Sequence, residues 1–303
     1  MSKKSVDQKH SETALFAALR RTIAHKEFNN EKFGPDNLAQ HFLPPHFRFF
    51  LKFKRIRTNI QKKLNRFLPG LNEYMIARTA YFDRLFIDAL HNHTPQIVLL
   101  GAGYDSRVFR FAGSNHDTKI FELDIASTQE RKMKCLKKAR IDFPEQVQYV
   151  SIDFNKETLN DVLKKEGYDN ALKTLFIWEG VSYYLQDAAV DATLKFASQN
   201  SHHQSAIAFD YTITISDENI DDFYGVKEFV QTMKAHHENE ALLFSIDAGQ
   251  AESFLKQRGL KMLDHMDHKE IEKSFLSYDN GSLIGEMTGL FRFAMGSPIQ
   301  EGG

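Results

Sequence analysis

The chain has 303 residues, 42% hydrophobic and 26% charged, enough apolar mass for one large α/β domain or two small ones. A formal net charge of −1 provides no global field for nucleic acid or a membrane surface. The single cysteine, Cys135, excludes an internal disulfide and a multi-cysteine zinc site, and suits a reducing compartment.

The opening "MSKKSVDQKHSE" lacks the apolar core of a signal peptide, and no apolar run approaches the length of a membrane span. A cytoplasmic location is therefore expected. Residues 11–92 read as helical and include the amphipathic "LNEYMIARTAYFDRLFIDALH". They predict a helical N-terminal cap, residues 1–92, on a core of residues 93–303. Inside the cap, residues 46–68, "HFRFFLKFKRIRTNIQKKLNRFL", hold eight Lys or Arg and no acid, interleaved with aromatics. The plain expectation sets their Phe and Leu against the domain and their charges in water. The same pattern would also suit an acidic substrate, anionic lipid or RNA.

From residue 96 short apolar runs alternate with helical patterns. "QIVLLG", "KIFELD", "VQYVSID", "TLFIWEG" and "SAIAFDYT" read as strands rich in Ile, Val and aromatics. Helices are expected in "STQERKMKCLKKARIDF", "KETLNDVLKKEG" and "DAAVDATLKFASQN", and two more strands in "GLKMLDHM" and "GLFRFAMG". This predicts a seven-stranded, mostly parallel sheet with helices on both faces, its last two strands paired like a hairpin. Residues 213–246 interrupt the alternation after the fifth strand. They form an insertion that could cover the carboxyl ends of the strands, where open α/β sheets bind ligands.

Those strand ends carry the chemistry. Gly101 and Gly103 follow the first strand, where a tight bend without a Cβ lets backbone approach a ligand. Ser106 stands where a dinucleotide fingerprint has its third glycine. Asp124 ends the second strand, placed to accept ribose hydroxyls; the competing reading is a helix N-cap. Glu122, two positions earlier, is the weaker candidate for the same role. Asp153 ends the third strand and could take an adenine amino group beside the Phe154 N–H, or cap the helix expected near Lys156. Glu179 ends the fourth strand after Phe176, Ile177 and Trp178; such a carboxylate requires a charged ligand, a buried arginine or a salt bridge to a neighbouring helix. Three carboxylates would repel phosphates and suit a ligand with ribose, adenine and positive charge.

With "ARTAYFD", "LLGAGYDSRVFR", "FELDIASTQERK", "SIDF" and "WEGVSYYL" in this order, the chain resembles S-adenosylmethionine-dependent methyltransferases of the leucine carboxyl methyltransferase-like family, including bacterial O-methyltransferase members. The resemblance spans roughly residues 11–295 and departs from the commoner pattern at Ser106 and Phe154. It implies a Rossmann-like class I methyltransferase fold with S-adenosyl-L-methionine as cofactor. It further implies that Arg78 pairs with the methionine carboxylate and Gly101 and Gly103 lie against the cofactor. Asp124 would bind the ribose, Asp153 and Phe154 the adenine, and Glu179 the amino or sulfonium side. Arg107 is open between substrate contact and a salt bridge to Asp83 or Asp88.

A carboxylate acceptor is ionised at neutral pH and needs no general base, and no base stands out among the strand-end motifs. An O-methyltransferase acting on a carboxylate of a small molecule or protein is therefore expected. Tyr183 and Tyr184 are the candidates to orient an acceptor oxygen, with aromatic packing as the other reading of each; Tyr211 is a further one. His236 and His237 in the insertion read as a substrate-side or solvent-exposed pair without enough ligands for zinc. An RNA acceptor is allowed but not favoured, since a related methyltransferase acts on hypermodified tRNA. The competing classes are a nicotinamide-dependent oxidoreductase and a non-catalytic adenosyl-ligand-binding protein. Oligomeric state is not legible in the sequence.

Overall fold

The computed structural model describes residues 6–28, 32–154, 157–236 and 242–300. Helices α1 (Val6–Phe28), α2 (Pro45–Phe50), α3 (Lys54–Phe67) and α4 (Leu71–His91) precede the first strand. The sheet strands are β1 (Gln96–Leu100), β2 (Lys119–Asp124), β3 (Val147–Ser151), β4 (Thr174–Trp178), β5 (Ala206–Thr212), β6 (Leu260–Met266) and β7 (Phe291–Pro298). Between them run α5 (Arg107–Arg110), α6 (Ala126–Lys138), α7 (Leu159–Lys165), α8 (Asp187–Gln199), α9 (Val226–His236), α10 (Ala251–Lys256) and α11 (His268–Phe275).

The strands form one seven-stranded sheet in the order β3-β2-β1-β4-β5-β7-β6. Neighbours from β3 to β5 are parallel, and β7 is antiparallel to both β5 and β6. Every residue of β1, β4 and β5 is buried, which explains their unbroken apolar runs in the middle of a sheet covered on both faces. Edge strand β6 instead alternates exposure, and its register slips between Met262 and Asp264. All seven expected strands are present, with the last two paired antiparallel as expected.

Helix α4 is apolar on several faces because it lies between sheet and cap. Tyr74 stacks on Phe291 at 3.8 Å and Tyr81 on Phe293 at 4.6 Å, fixing it to β7. The insertion leaves β5 at Ile213, contributes α9, and rejoins through the Ile213–Ile246 bridge.

The expectation that residues 46–68 turn their phenylalanines inward is overturned: Phe47, Phe49, Phe50, Phe53 and Phe67 are exposed. Helix α2 buries none of its own residues. The inward contacts come from Leu51, fully buried, from Ile60 and Leu68 packed against the core, and from Arg57, which donates to the Leu51 and Lys52 carbonyls at 2.9 and 3.1 Å. Arg57 also meets Glu27 of α1 at 2.5 Å. With the break between α2 and α3 held by these groups, the aromatic side chains are left facing water.

Candidate functional site

Acids at the carboxyl ends of β4 and β5 meet the face of α4, beside the turn that joins the ends of β1 and β2. After β1 the chain turns through Gly101, whose φ of +66° favours glycine; a Cβ there would lie 2.6 Å from Val181 Cγ2. The Ala102 N–H donates to the Leu123 carbonyl at 2.9 Å, which continues the β1–β2 pairing into the turn. Gly103 N–H then donates to Asp124 Oδ2 at 2.6 Å, and Ile125 N–H to Asp124 Oδ1 at 2.7 Å. Asp124 thus stands against the glycine turn, and the residue at the N-cap of α6 is Ile125. Ser106 is fully buried and accepts from Arg110 Nε at 2.9 Å.

Glu179 follows β4 and meets two arginines. Arg78 Nε of α4 lies 3.0 Å from Glu179 Oε1, and Arg107 Nη1 lies 2.6 Å from Oε2. Arg78 Nη1 also lies 3.6 Å from Asp210 Oδ2 and donates to the Tyr183 hydroxyl at 3.2 Å. Gly180 has φ +73°, and a Cβ there would come within 2.8 Å of Arg78 Nη1, so the bend after Glu179 makes room for the guanidinium. Asp210 of β5 accepts the Gly180 N–H at 2.7 Å and the Tyr74 hydroxyl.

Charges alternate outward from this centre. Arg107 also meets Asp105 at 2.6 Å and Asp83 at 2.7 Å. Asp83 binds Arg110 through both oxygens, at 2.6 and 2.7 Å. Arg110 lies 3.8 Å from Asp36, which meets Arg21 of α1 at 3.0 Å. Arg21 donates in turn to the Tyr104 carbonyl at 2.8 Å, beside the glycine turn. Of the two aspartates considered for Arg107, Asp83 is the partner in the structure.

Burial works against the charge on Arg78, but Tyr74, Tyr183, Glu179 and Asp210 outweigh it and hold its pKa above the ordinary arginine value. Burial likewise opposes ionisation of Asp105, yet Arg107 and Lys132 pull its pKa down to about 2. Asp210 moves up because burial exceeds the help from Arg78 and Tyr74. The Tyr183 hydroxyl is held well above its usual range, first by burial and then by Asp210. Glu122, the weaker ribose candidate, is fully buried against Lys132 Nζ at 2.7 Å, and burial raises its pKa to about 7.

The sequence-derived candidates divide in two groups. Arg78, Glu179 and Tyr183 touch one another, while Gly103 and Asp124 form a second contact beside them. Tyr184 lies with its ring 4.7 Å from that of Tyr183. Asp153 sits one residue beyond Ile152, whose N–H reaches the Asp124 carbonyl at 3.0 Å. The Asp153 N–H donates to Glu157 at 2.9 Å, and α7 is capped by Thr158, so Asp153 is not its cap. Phe154 packs half-buried against the core. Tyr211 bonds His265 at 2.8 Å. His236 ends α9, and His237 lies outside the described residues.

Sequence reasoning missed Asp210, Tyr74, Asp36 and Arg110. Asp210 carried a usable signal: an aspartate within the apolar "AIAFDYT" is as costly to bury as Glu179 and needs a partner just as much. Asp36 and Arg110 are legible only once the loop after α1 is seen to meet α5.

The sheet order, with β7 antiparallel between β5 and β6, and the glycine turn facing strand-end acids define the class I methyltransferase fold. Two crystal structures share it: a Thermobifida fusca protein described as a methyltransferase (TM-score 0.57, 13% identity, 82% of this chain and 89% of that one) and a DUF574 family protein from Streptomyces avermitilis (TM-score 0.58, 12% identity, 80% and 90%). The leucine carboxyl methyltransferase family pattern matches residues 14–198, and the chain belongs to that family. Among curated relatives, YktD of Bacillus subtilis (strain 168) is 29% identical over 204 residues, covering 67% of this chain and 66% of YktD. A Mycolicibacterium smegmatis relative is 30% identical over 205 residues, covering 65% and 64%. The chain therefore spans just under two thirds of the length of either relative. Both relatives are named for S-adenosyl-L-methionine-dependent methyl transfer.

Proposed function

We propose that the chain is an S-adenosyl-L-methionine-dependent O-methyltransferase acting on a carboxylate of a small molecule or protein. The observation that carries this reading is the convergence at neighbouring strand ends of Asp124 on the Gly103 N–H and of Glu179 on Arg78. The donor set fits the cofactor's chemistry. A carboxylate at the glycine turn matches ribose hydroxyls, and an arginine with an adjoining acid matches a methionine zwitterion. The relatives' names support the same cofactor. When bound, S-adenosyl-L-methionine supplies a methyl group on cationic sulfur, suited to in-line displacement.

This chain's residues would then divide the work. Asp124 accepts the ribose hydroxyls, with Gly101 and Gly103 leaving room for the ligand. Asp153 and the Phe154 N–H hold the adenine. Arg78 takes the methionine carboxylate and Glu179 the amino group. Helices of residues 1–92 and the insertion 213–246 act as cap and lid that exclude water. A carboxylate acceptor is favoured because it is ionised at neutral pH and needs no general base. Tyr183, held protonated first by burial and then by Asp210, orients an oxygen by donation and does not remove a proton, while the Tyr74 hydroxyl is already engaged with Asp210. Tyr184, beside Tyr183, is the second orienting group.

Calorimetric titration with S-adenosylhomocysteine and NADH tests the cofactor, and labelled methyl from S-adenosyl-L-methionine tests the chemistry. Selective binding of S-adenosylhomocysteine is expected, with label released from the product as methanol by mild base, as for a methyl ester. Preference for NADH would overturn the reading. Tight binding without transfer to metabolites, protein or RNA would leave a binding protein, and base-stable label would overturn the carboxylate acceptor.

A further inference from the structure

We infer that the tip formed by α2 and the start of α3 is a docking surface for an anionic lipid bilayer. Phe47, Phe49, Phe50 and Phe53 are 43%, 55%, 49% and 50% exposed; one large apolar side chain in water is ordinary, but four within seven residues, three of them in contact through Phe49, are not. The rings are gathered: Phe49 lies edge-on to Phe50 at 5.8 Å and to Phe53 at 5.6 Å, and the Lys52 ammonium sits 6.0 Å over Phe49. Lys52, Lys54 and Arg55 beside these rings and Lys62 and Lys63 further along α3 are exposed, and residues 46–68 contain no acid.

The occupant follows from charge and shape together. A chain whose net charge is only −1 has concentrated eight cations in one 23-residue stretch, which complements an anionic surface locally and not globally. Phenylalanine beside Lys and Arg on short helices is the composition of an interfacial segment. The rings enter the boundary between headgroups and acyl chains while the cations stay with the phosphates. Single-stranded RNA would instead require separate ring faces open for stacking along a groove. Here Phe50 and Phe53 pack edge to face against Phe49.

The tip is also built to carry load. Leu51 is fully buried at its base, and Arg57 bonds the Leu51 and Lys52 carbonyls and Glu27 of α1. The exposed rings are thus mounted on a fixed base that connects directly to the helix covering the glycine turn. Membrane attachment would hold the cap at the lipid surface whatever the methyl acceptor proves to be.

The test is co-sedimentation of the full chain with vesicles of phosphatidylcholine containing about 30% phosphatidylserine, against phosphatidylcholine alone. The expected result is binding to the anionic vesicles only, weakened at least about tenfold when Phe47, Phe49, Phe50 and Phe53 are all changed to Ser. Changing Lys54, Arg55, Lys62 and Lys63 to Gln should have a comparable effect, and raising salt should weaken the unaltered chain. All eight positions are exposed, so the thermal midpoint and S-adenosylhomocysteine affinity should stay unchanged in both variants and report intact folding. Absence of vesicle binding overturns the inference. So does vesicle binding that ignores the Phe changes, preferential binding of single-stranded RNA, or self-association abolished by the Phe changes without any lipid binding.

Discussion

Gly101 and Arg78 show how individual residues set the site. Replacing Gly101 by Ala forces a side chain into a φ of +66° and against Val181, at a cost of about 1–3 kcal/mol. Urea unfolding should show that loss, and adding Val181→Ala should recover the contact part but not the backbone part. Arg78→Met removes the countercharge shared by Glu179 and Asp210, a change worth about 3–5 kcal/mol of stability at a buried site. Arg78→Lys keeps the charge but lacks the planar fork that reaches Glu179, Asp210 and Tyr183 together. It should weaken S-adenosylhomocysteine binding at least about tenfold in calorimetry, with a smaller loss of stability. Asp124→Ala should weaken the same binding by about 1.5 kcal/mol or more; unchanged affinity would remove Asp124 from the ribose role. The sequence exposes these positions unequally. Gly101, Asp124 and Glu179 stand out because each breaks an apolar strand end. Asp36 and Arg110 do not, because nothing local reveals that the loop after α1 will meet α5.

At the level of elements, the sheet was the most legible part of the chain. Strands β1, β4 and β5 are buried on both sides, so burial alone demands the apolar runs that mark them. Helices α2 and α3 were misleading for the complementary reason. An interleaved basic and aromatic pattern normally places its rings inward, and only the contacts of Leu51 and Arg57 show that this one does not. Between β2 and α6 the Glu122–Lys132 pair gives the core a pH dependence. Burial raises the folded-state pKa of Glu122 from 4.5 to about 7, so its protonated form is favoured by folding. The associated stability is complete below pH 4.5 and is lost as pH rises through about 7, by an amount on the order of 3 kcal/mol. A Glu122→Gln, Lys132→Met double variant should therefore gain stability relative to the unaltered chain between pH 5 and pH 7.5. Urea midpoints at the two pH values check this; an equal difference at both would remove Glu122 as the source.

Across the whole molecule, the ion-pair relay from Arg21 through Asp36, Arg110, Asp83 and Arg107 to Glu179 joins the N-terminal helices to the sheet. Cap and core should consequently unfold together. Trp178, fully buried in β4, reports the sheet by fluorescence, and far-ultraviolet dichroism reports the helices. The two denaturation curves should coincide, and Asp36→Asn should both destabilise the chain by about 3–5 kcal/mol and separate them. Coincident curves in that variant would show that the relay is not what couples the two parts. The position of β7 has another consequence, for biosynthesis. Of the seven strands in this sheet it is the last to be synthesised, yet it lies inside the sheet between β5 and β6. Until Phe291–Pro298 docks, β5 and β6 each keep a raw hydrogen-bonding edge open to other nascent chains, so the aggregation hazard of both edges closes in the single step that seats β7.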